Sequence, residues 1–466
     1  MINNIHFAIT SLFLLIAGSS VIAQSVGSVD IQGNHVTDSS VIMRELCFQP
    51  GDSIDFTSWP EQIKQSEKNL MNTSLFVYVN INWKQQGNQV DVNVAVKERW
   101  YYWLYPILEH ADRNLSAFIY NADWKKINYG LSFEKHNLFG KNQFLKLKAR
   151  FGYRQQLGIL YENPAINASQ FHGFQLYADR FRQRQVAVEN VKDRRQYFYQ
   201  PDKPVIYEDR AGFIYISRPD LYQSLRFISE FRQFAVSDSM FSAHPSFLHM
   251  SQQSSSYFNI RLQYEFDNRD DRFFPLKGFL LLSDIEKTGF GLFAKSPDFM
   301  TGRLKLHWHH SFTEKWFYAM QANSLWHITN ADKRPYYLSG ILGYDYYPRG
   351  YEYYTVHGKA VVNINQSVRY RLISRQKVPL SWVPVREFDE LKYDVYLYAF
   401  WDNAKTWSNS LYGNDNELPE AFLTSGGAGI ECHTFYDRSF GFHFAFTNQK
   451  AFGIFAWFHS PLYKNY

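Results

Sequence analysis

The chain has 466 residues, of which 45% are hydrophobic and 18% aromatic, and its formal net charge is +5. Its 33 Tyr, 41 Phe and 12 Trp exclude a disordered protein, because disordered compositions carry far less buriable surface. After residue 23 no apolar run approaches the roughly 18 residues of a spanning helix, which excludes a helical membrane bundle. Two cysteines, Cys47 and Cys432, are too few for a disulfide scaffold or a four-cysteine zinc site.

The first residues have the pattern of an export signal. Segment 1–23 contains a short apolar core that includes Leu12 to Ala17, and it ends in Val21-Ile22-Ala23, where a signal peptidase reads small or compact residues. The core is too short for a stop-transfer helix, although the usual lysine or arginine is missing from the first four residues. We predict a signal peptide over residues 1–23, with a buried N-terminal helix as the alternative.

Residues 24–99 have the pattern of a small α+β domain. A strand at Val29-Asp30-Ile31 is followed by two helices, one capped by Asp38 and one starting with a capping box of Ser58 and Glu61. Residues 77–83 and 90–96 then alternate apolar and polar side chains, which predicts two strands. This β-α-α-β-β order resembles the polypeptide-transport-associated (POTRA) domain in the following residues: Gly33-Asn34, Pro50-Gly51-Asp52, Leu75-Phe76 and Glu98. A generic α+β domain is the alternative.

From residue 100 to the end, successive segments alternate apolar or aromatic residues with charged or polar ones. In residues 144–154, 258–267 and 303–309 one face carries Leu, Ile, Phe or Trp, and the other carries charged, amide or histidine side chains. In lipid only helices or a closed barrel satisfy the backbone, and aromatic residues concentrate at the two membrane interfaces. Eleven such segments precede Arg349 and five follow it, so residues 100–466 are predicted to form a transmembrane β-barrel of about 16 antiparallel strands.

Two motifs resemble those of the BamA–TamA superfamily of outer-membrane assembly factors. Arg349-Gly350-Tyr351, after the eleventh segment, resembles the Arg-Gly-aromatic motif of the family's sixth extracellular loop. Asp402, within Phe400-Trp401-Asp402-Asn403-Ala404, resembles the aspartate of the family's thirteenth strand. In that family the loop folds into the lumen and its arginine pairs with the aspartate, so the resemblance implies a pair between Arg349 and Asp402. By itself, an Arg-Gly-Tyr tripeptide in a Tyr-rich loop is a solvated turn.

One further turn agrees with the resemblance and one position departs from it. The turn Asp267-Asn268-Arg269-Asp270 is similar to the family's periplasmic turn between two central strands. Its carboxylates lack the spacing of an EF-hand calcium loop, so we interpret it as a charged turn. Ser367 stands where the family often has a glutamate, so a third member of the luminal network is either missing or supplied elsewhere.

The end of the chain resembles the signal with which barrel proteins end, a glycine followed by alternating aromatics. The residues are Gly453, Phe455, Trp457 and Phe458, and the resemblance places the barrel seam at this strand. Most barrels end there, whereas this chain continues through Pro461 to Tyr466. Such a tail could alter how the first and last strands meet.

No residue pattern indicates catalysis or a cofactor. His307 and His309 share a strand face and could hold a metal, but lumen-lining histidines are the preferred interpretation. Gly426-Gly427-Ala428-Gly429 lies within a predicted strand, so it allows bending or close packing and is not a phosphate loop. We find no nucleophile elbow and no Ser/His/Asp constellation, so no catalytic residue, metal or cofactor is predicted and the protein is predicted not to be an enzyme.

The resemblance implies a bacterial outer-membrane assembly factor with its N-terminal domain in the periplasm. As in that family, the POTRA-like domain would accept unfolded client strands on its sheet edge, and the barrel would insert them at its seam. The implied partners are outer-membrane lipid, unfolded outer-membrane protein clients and, as an open option, other assembly subunits; no nucleic acid is implied. The alternatives are a dedicated secretion pore for an exported partner protein and a passive porin.

Overall fold

The computed structural model describes residues 24–110, 127–166, 171–245, 247–248, 252–330, 334–344, 346–379, 390–408, 415–434 and 438–459. The predicted signal peptide over residues 1–23 and the tail over residues 461–466 lie outside these ranges. The chain divides after Glu98 into two units, which are described one at a time. Within the described ranges, no helix is both long enough and apolar enough to cross a membrane.

The first unit is a three-stranded sheet with two helices, as the POTRA resemblance implies. Its elements are β1 (Ser25–Gln32), α1 (Ser39–Glu45), α2 (Trp59–Asn72), β2 (Phe76–Gln86) and β3 (Gln89–Glu98). The strand order is β1-β3-β2, with β1 parallel and β2 antiparallel to β3. Every second residue of the central strand is buried: Val90, Val92, Val94 and Val96. The predicted β-α-α-β-β order is confirmed.

One of the two predicted helix caps is confirmed and the other is wrong. Asp38 caps α1, because its carboxylate accepts a hydrogen bond from the Ser40 backbone N–H at 2.8 Å. The predicted capping box of Ser58 and Glu61 is wrong. Ser58 already has helical backbone angles and its side chain makes no cap bond; its hydroxyl instead donates to Asp55. The chain enters α2 from a turn in which the Asp55 carbonyl accepts the Ser58 N–H, and that turn takes the place of the box.

The second unit contains all remaining elements. In chain order they are β4 (Tyr102–His110), β5 (Ile127–Leu138), β6 (Gln143–Gly152), β7 (Arg154–Asn163), β8 (His172–Gln183), β9 (Gln185–Val191), β10 (Arg194–Tyr199), β11 (Ile206–Ser217), β12 (Gln223–Val236), α3 (Asp238–Ala243), β13 (Ser254–Asp267), β14 (Gly278–Thr288), β15 (Phe299–Ser311), β16 (Trp316–His327), a 3-10 helix (Tyr336–Leu338), β17 (Gly340–Leu342), β18 (Val356–His357), β19 (Ala360–Pro379), β20 (Glu390–Trp407), β21 (Phe422–Thr434), β22 (Arg438–Thr447) and β23 (Phe452–His459).

Sixteen of these strands form one antiparallel sheet. Strands β9 and β10 pair only with each other, as do β17 and β18, and the other strands follow one another across the sheet from β4 to β23 in chain order. Eleven strands of the sheet precede Arg349 and five follow it. The predicted transmembrane β-barrel is confirmed. We call the end of the barrel at which β4 begins the near end, and the opposite end the far end.

The two faces of the barrel differ as the alternation predicts. In β22, Phe442, Phe444 and Phe446 are exposed on the outward face, while His443 and Ala445 between them are buried on the inward face. Because successive side chains of a strand point to opposite faces, one period-two pattern supplies both an apolar outer surface and a polar inner surface.

One predicted strand boundary is wrong. The alternation over residues 144–154 predicts a single strand, but β6 ends at Gly152 and β7 begins at Arg154. Gly152 has a φ of +97°, and a side chain there would collide with the Ile127 carbonyl, so the chain turns at this glycine. Tyr153 is buried in the turn and does not lie on the outward face. The period-two pattern misled the prediction because it runs on through a very tight turn.

Candidate functional site

The connection between β16 and β19 folds back along the inward face of the barrel. We call residues 340–357 of this connection the inner loop. Leu342, Tyr351 and Val356 of the inner loop are fully buried. They share one apolar cluster with inward-facing residues of three strands: Val361, Ala404 and Leu423. A loop that is apolar on the side facing the wall is therefore held inside the barrel by packing as well as by polar contacts.

Arg349 and Asp402, which the family resemblance pairs, are in direct contact. The Arg349 side chain donates from Nε to Asp402 Oδ2 at 2.8 Å and from Nη2 to Asp402 Oδ1 at 2.7 Å. The backbone N–H of Arg349 donates to Oδ2 at 2.9 Å. This is the two-pronged arrangement in which a guanidinium and a carboxylate bind most strongly. Asp402 lies on β20, the thirteenth strand of the barrel sheet.

Residues of the barrel wall supply the other contacts of Arg349 and Asp402. Asp402 is 0% exposed, and it also accepts hydrogen bonds from the Asn365 side chain at 2.8 Å and the Gln366 backbone N–H at 3.1 Å. Arg349 donates to the Gln366 carbonyl at 3.0 Å, and its guanidinium lies 4.0 Å from the centre of the Phe400 ring. A buried ion pair is stable only when such extra partners offset the loss of hydration.

Gly350 and Tyr351 fix the path of the chain next to the pair. Gly350 has a φ of +95°, and a Cβ placed on it would lie 2.9 Å from Thr447 Cγ2 and 3.1 Å from Ala445 Cβ. Only glycine meets both constraints without strain. Tyr351 is fully buried and donates from its hydroxyl to Asn448 Oδ1 at 2.5 Å. Burial raises the pKa of the Tyr351 hydroxyl to about 12.

An acid of the inner loop itself completes the network, and the sequence analysis missed it. Glu352 accepts the Gly350 backbone N–H at 2.8 Å and lies 3.3 Å from Nε2 of His443 on β22. Both side chains are buried. Ser367, the position without the family's glutamate, is buried on β19 and pairs in register with Phe400. The sequence does show an acidic residue, Glu352, two positions after Gly350, but no sequence pattern connects Glu352 to His443.

The inward face of β23 also contacts the inner loop. The Phe455 ring lies 5.7 Å from the Tyr353 ring and 5.5 Å from the His443 ring. Trp457 faces inward as well, with its indole N–H 3.4 Å from the Tyr398 hydroxyl. Of the other residues predicted at the seam, Phe458 is exposed on the outward face, and Gly453 leaves room for the Phe455 ring.

A hairpin formed by β9 and β10 holds the inner loop from the far end, and no sequence pattern predicted it. We call residues 185–199 the clamp hairpin. Its Asn190 side chain donates to the Thr355 carbonyl at 2.7 Å, and the Thr355 N–H donates to the Asp193 carbonyl at 3.0 Å. The Asp193 carboxylate accepts the N–H groups of Glu417 and Leu418 at 2.9 and 3.1 Å. Burial raises the pKa of the Asp193 carboxyl. The clamp hairpin thus joins the inner loop to the connection between β20 and β21.

His357 is a buried titratable group of the inner loop. Its ring lies 2.9 Å from the Ser339 hydroxyl and 3.0 Å from the Tyr344 hydroxyl, and it stacks on the Tyr336 ring with centres 4.0 Å apart. Burial, together with the positive charge of Arg195, lowers the pKa of His357 to about 3. The inner loop therefore packs around a neutral imidazole.

At the near end, the turn between β13 and β14 also enters the lumen. The Phe274 ring stacks on His433 of β21, with centres 3.3 Å apart, and lies 4.9 Å from the Tyr396 ring of β20. The Asp271 carboxylate accepts the Phe274 N–H at 2.8 Å and holds the turn in shape. The charges of this turn were predicted and are present, with Asp267 bound to Arg269. The inserted aromatic ring was not predicted.

The remaining candidate residues line the wall. His307 lies 3.0 Å from the Asn323 side chain, and among the described residues no group of three His, Cys, Asp or Glu side chains could hold a metal ion. The glycine run lies inside β21. A Cβ on Gly427 would lie 2.7 Å from the Phe400 ring, so the missing side chain makes room for the aromatic ring that covers Arg349.

Comparison with known families gives two matches. Residues 24–99 match the POTRA family, described as a surface antigen variable number repeat. Residues 137–435 match the Omp85 superfamily domain. No curated protein sequence matches the chain.

Comparison with solved structures gives matches at low sequence identity. CdiB from Escherichia coli is 10% identical with a TM-score of 0.57, and the match covers 94% of this chain and 76% of that one. BamA from Haemophilus ducreyi lacking POTRA domains 1–3 is 12% identical with a TM-score of 0.49, covering 94% and 85%. CdiB from Acinetobacter baumannii is 12% identical with a TM-score of 0.46, covering 94% and 74%. The likeness to the Escherichia coli protein shows a shared fold.

Proposed function

Because the chain belongs to the Omp85 superfamily, we propose that it is a bacterial outer-membrane protein that inserts other proteins into that membrane. Relatives in this superfamily are outer-membrane proteins with periplasmic POTRA domains, and they act in insertion or translocation. In our proposal the first unit lies in the periplasm, and the near end of the barrel is on the periplasmic side of the membrane. The barrel performs no catalysis and needs no cofactor.

The observation that supports insertion over passage through the lumen is the docking of the inner loop. The loop is buried against β19–β21, joined to the wall through Arg349 and Asp402, and held from the far end by the clamp hairpin. A polypeptide that crossed the lumen would have to displace all three sets of contacts. A client that entered the membrane beside the barrel would leave them intact.

The proposed point of insertion lies at β4 and β23, which are the two end strands of the barrel sheet. A client strand that pairs with either end strand satisfies its backbone N–H and C=O groups before it meets lipid, where unpaired groups are costly. The contacts of Phe455 with Tyr353 and His443 connect β23 to the inner loop. In the proposal, loop docking therefore determines the position of this end strand.

In the first unit, the proposed acceptor for an extended client segment is the outer edge of β2. The edge of β1 is covered, since Val26 exchanges backbone hydrogen bonds with Asp52 and Gly51. On the outer edge of β2 the Ile81 N–H donates to the Glu67 carboxylate of α2 at 2.8 Å. A client strand that adds to β2 would replace Glu67 at this N–H, and main-chain hydrogen bonds would supply the affinity.

The test is depletion of the protein followed by a quantitative inventory of outer-membrane proteins. The proposal expects a loss of several barrel proteins from the outer membrane, which the wild-type gene restores and an Arg349→Ala gene restores poorly. Accumulation of one exported protein in the periplasm, with the barrel proteins unchanged, would instead establish a secretion pore. A large and stable conductance of the purified protein in planar bilayers would establish a porin.

A further inference from the structure

A second feature of the lumen lies apart from the inner loop, on the inward side of β6, β7, β8 and β11. A cavity of about 300 Å³ is present there, and we call it the basic cavity. Its charged lining residues are the cations Lys146, Lys148, Arg150, Arg154 and Arg210 and the acids Asp179 and Glu208. None of them belongs to the inner loop or to the clamp hairpin, so the contacts described above do not account for this set of charges.

Both acids of the basic cavity are already neutralised. Asp179 lies 3.1 Å from Arg210 and accepts a hydrogen bond from the Gln156 amide at 2.8 Å. Glu208 lies 3.3 Å from Arg232. These carboxylates therefore have partners of their own and do not balance the other cations of the cavity.

Two of the other cations are paired from behind the cavity. Lys146 lies 2.9 Å from Glu134, and Arg150 lies 2.7 Å from Glu109. Neither acid lines the cavity. Even so, Nε of Arg150, a residue that is only 7% exposed, is buried without a hydrogen-bond partner in the described part of the chain.

Lys148 and Arg154 differ from the other cations. Within the described ranges, neither side chain has a carboxylate within ion-pair distance, and Nε of Arg154 is buried without a hydrogen-bond partner. A half-buried cation without a partner loses part of its hydration, and proteins normally provide such a charge with an anion. Two positive charges thus face one cavity in which the described side chains supply no free negative charge.

A glycine in the lining makes room for one of the acids of the basic cavity. Gly158 lines the cavity, and it pairs in register with Lys148 of β6 on one side and Asp179 of β8 on the other. A Cβ on Gly158 would collide with the Asp179 carboxylate. The absence of a side chain on Gly158 therefore makes room for the Asp179 carboxylate.

We propose that the basic cavity is an anion-binding site that takes a phosphate group. A phosphate monoester carries a charge of about −1.5 to −2 at neutral pH and offers three strong acceptor oxygens, which matches the two unpaired cations and the orphaned N–H groups better than a single carboxylate does. The phosphate monoester can belong to a soluble compound or to a lipid whose headgroup ends in one, such as phosphatidic acid. The inference rests only on the barrel wall and does not depend on the proposed insertion function.

The test is isothermal titration calorimetry of the full-length protein in neutral detergent, with inorganic pyrophosphate as the probe at constant ionic strength. The wild type is expected to bind saturably at one site. The double variant Lys148→Gln with Arg154→Gln is expected to lose at least tenfold in affinity. Lys305→Gln is the matched control, because Lys305 is also a luminal lysine but lies on β15 near the Tyr346 ring, and this variant should bind as the wild type does.

Two further measurements keep the proposal falsifiable. Circular dichroism checks that each variant is folded, and the single variant Lys148→Gln, expected to weaken binding several-fold, replaces the double variant if the latter does not fold. Phosphatidic acid added to the micelles will compete with pyrophosphate if lipid headgroups are the source, and will leave the affinity for pyrophosphate unchanged if the source is soluble. Binding that is not saturable, that survives in the variants, or that is weaker than binding of a hexaglutamate peptide would overturn the phosphate site.

Discussion

The wall formed by β19–β22 and the wall formed by β5–β8 have the same alternation of side chains. Their inner surfaces differ, because a loop covers the first and the second faces a cavity. On the first wall, the inner loop covers the strands, and Asp402 and Glu352 are both satisfied by named partners. On the second wall, Lys148 faces the basic cavity without a carboxylate partner among the described residues. Alternation along a strand therefore determines which side chains point inward, but it does not determine what meets them there.

This difference has an energetic consequence. A charge that is buried under a loop depends on its partner, so removing the partner should be severe. A charge that faces an open cavity depends on nothing in the chain, so removing it should be mild in the absence of ligand. The following substitutions test that contrast, in order of expected effect.

The largest effect is expected for Arg349→Ala. The change leaves the fully buried Asp402 carboxylate without its main partner, which costs about 3–5 kcal/mol for a buried pair. The measurement is the thermal unfolding midpoint of the barrel in detergent, together with protease cleavage within the inner loop. Arg180→Ala is the control, because Arg180 is 66% exposed and its pair with Asp209 is worth only about 0–1 kcal/mol. Equal midpoints for the two variants would mean that the inner loop is not held by this pair.

Gly350→Ala should have the next largest effect. The new Cβ meets Thr447 and Ala445 and sits on a backbone with a φ of +95°, and strain and overpacking together cost about 3 kcal/mol. Gly291→Ala is the matched control, since Gly291 also has a positive φ, of +69°, but has nothing within 4 Å of a Cβ. The difference between the two thermal midpoints measures the collision alone, and a difference of zero would contradict the close approach of the loop to β22.

Docking of the inner loop should also weaken in acid. The pKa of His357 is lowered to about 3 in the folded state, against about 6.5 when the loop is undocked, so the undocked state binds the extra proton between these values. Stability therefore falls as the pH drops below about 6.5, by about 2 kcal/mol at pH 5. Protease cleavage of the loop at pH 7 and pH 5 measures the effect. His357→Gln should flatten the dependence, and an unchanged slope in that variant would assign it to another group.

The smallest effect is expected on the second wall. Without ligand, Lys148→Gln should change the free energy of unfolding by no more than about 0.5 kcal/mol in either direction, because no ion pair among the described residues is lost. The loss of stability should be far smaller than that of Arg349→Ala in the same detergent. A large loss would show that Lys148 already has a partner within the chain and would remove the contrast between the two walls.

The sequence predicted the features that are set along one strand, and it missed the contacts that the inward faces make. The strands were predictable because a period-two pattern is local, and it placed eleven strands before Arg349 and five after it. The prediction of a single strand over residues 144–154 was wrong because alternation alone does not reveal a one-residue turn. The pair between Arg349 and Asp402 was expected only through the resemblance to a family, since nothing in residue spacing joins positions 53 apart.

The sequence alone determined the two units, the element order of the first unit, and the number and facing of the barrel strands, because each of these depends on neighbours along one strand or helix. Only the tertiary structure decided that Glu352 meets His443, that Asn190 holds Thr355 from 165 residues away, and that Phe274 enters the near end. Loops carry no periodicity, so the sequence does not show which residues they contact. Only the tertiary structure brings the inward faces of distant strands next to the same loop.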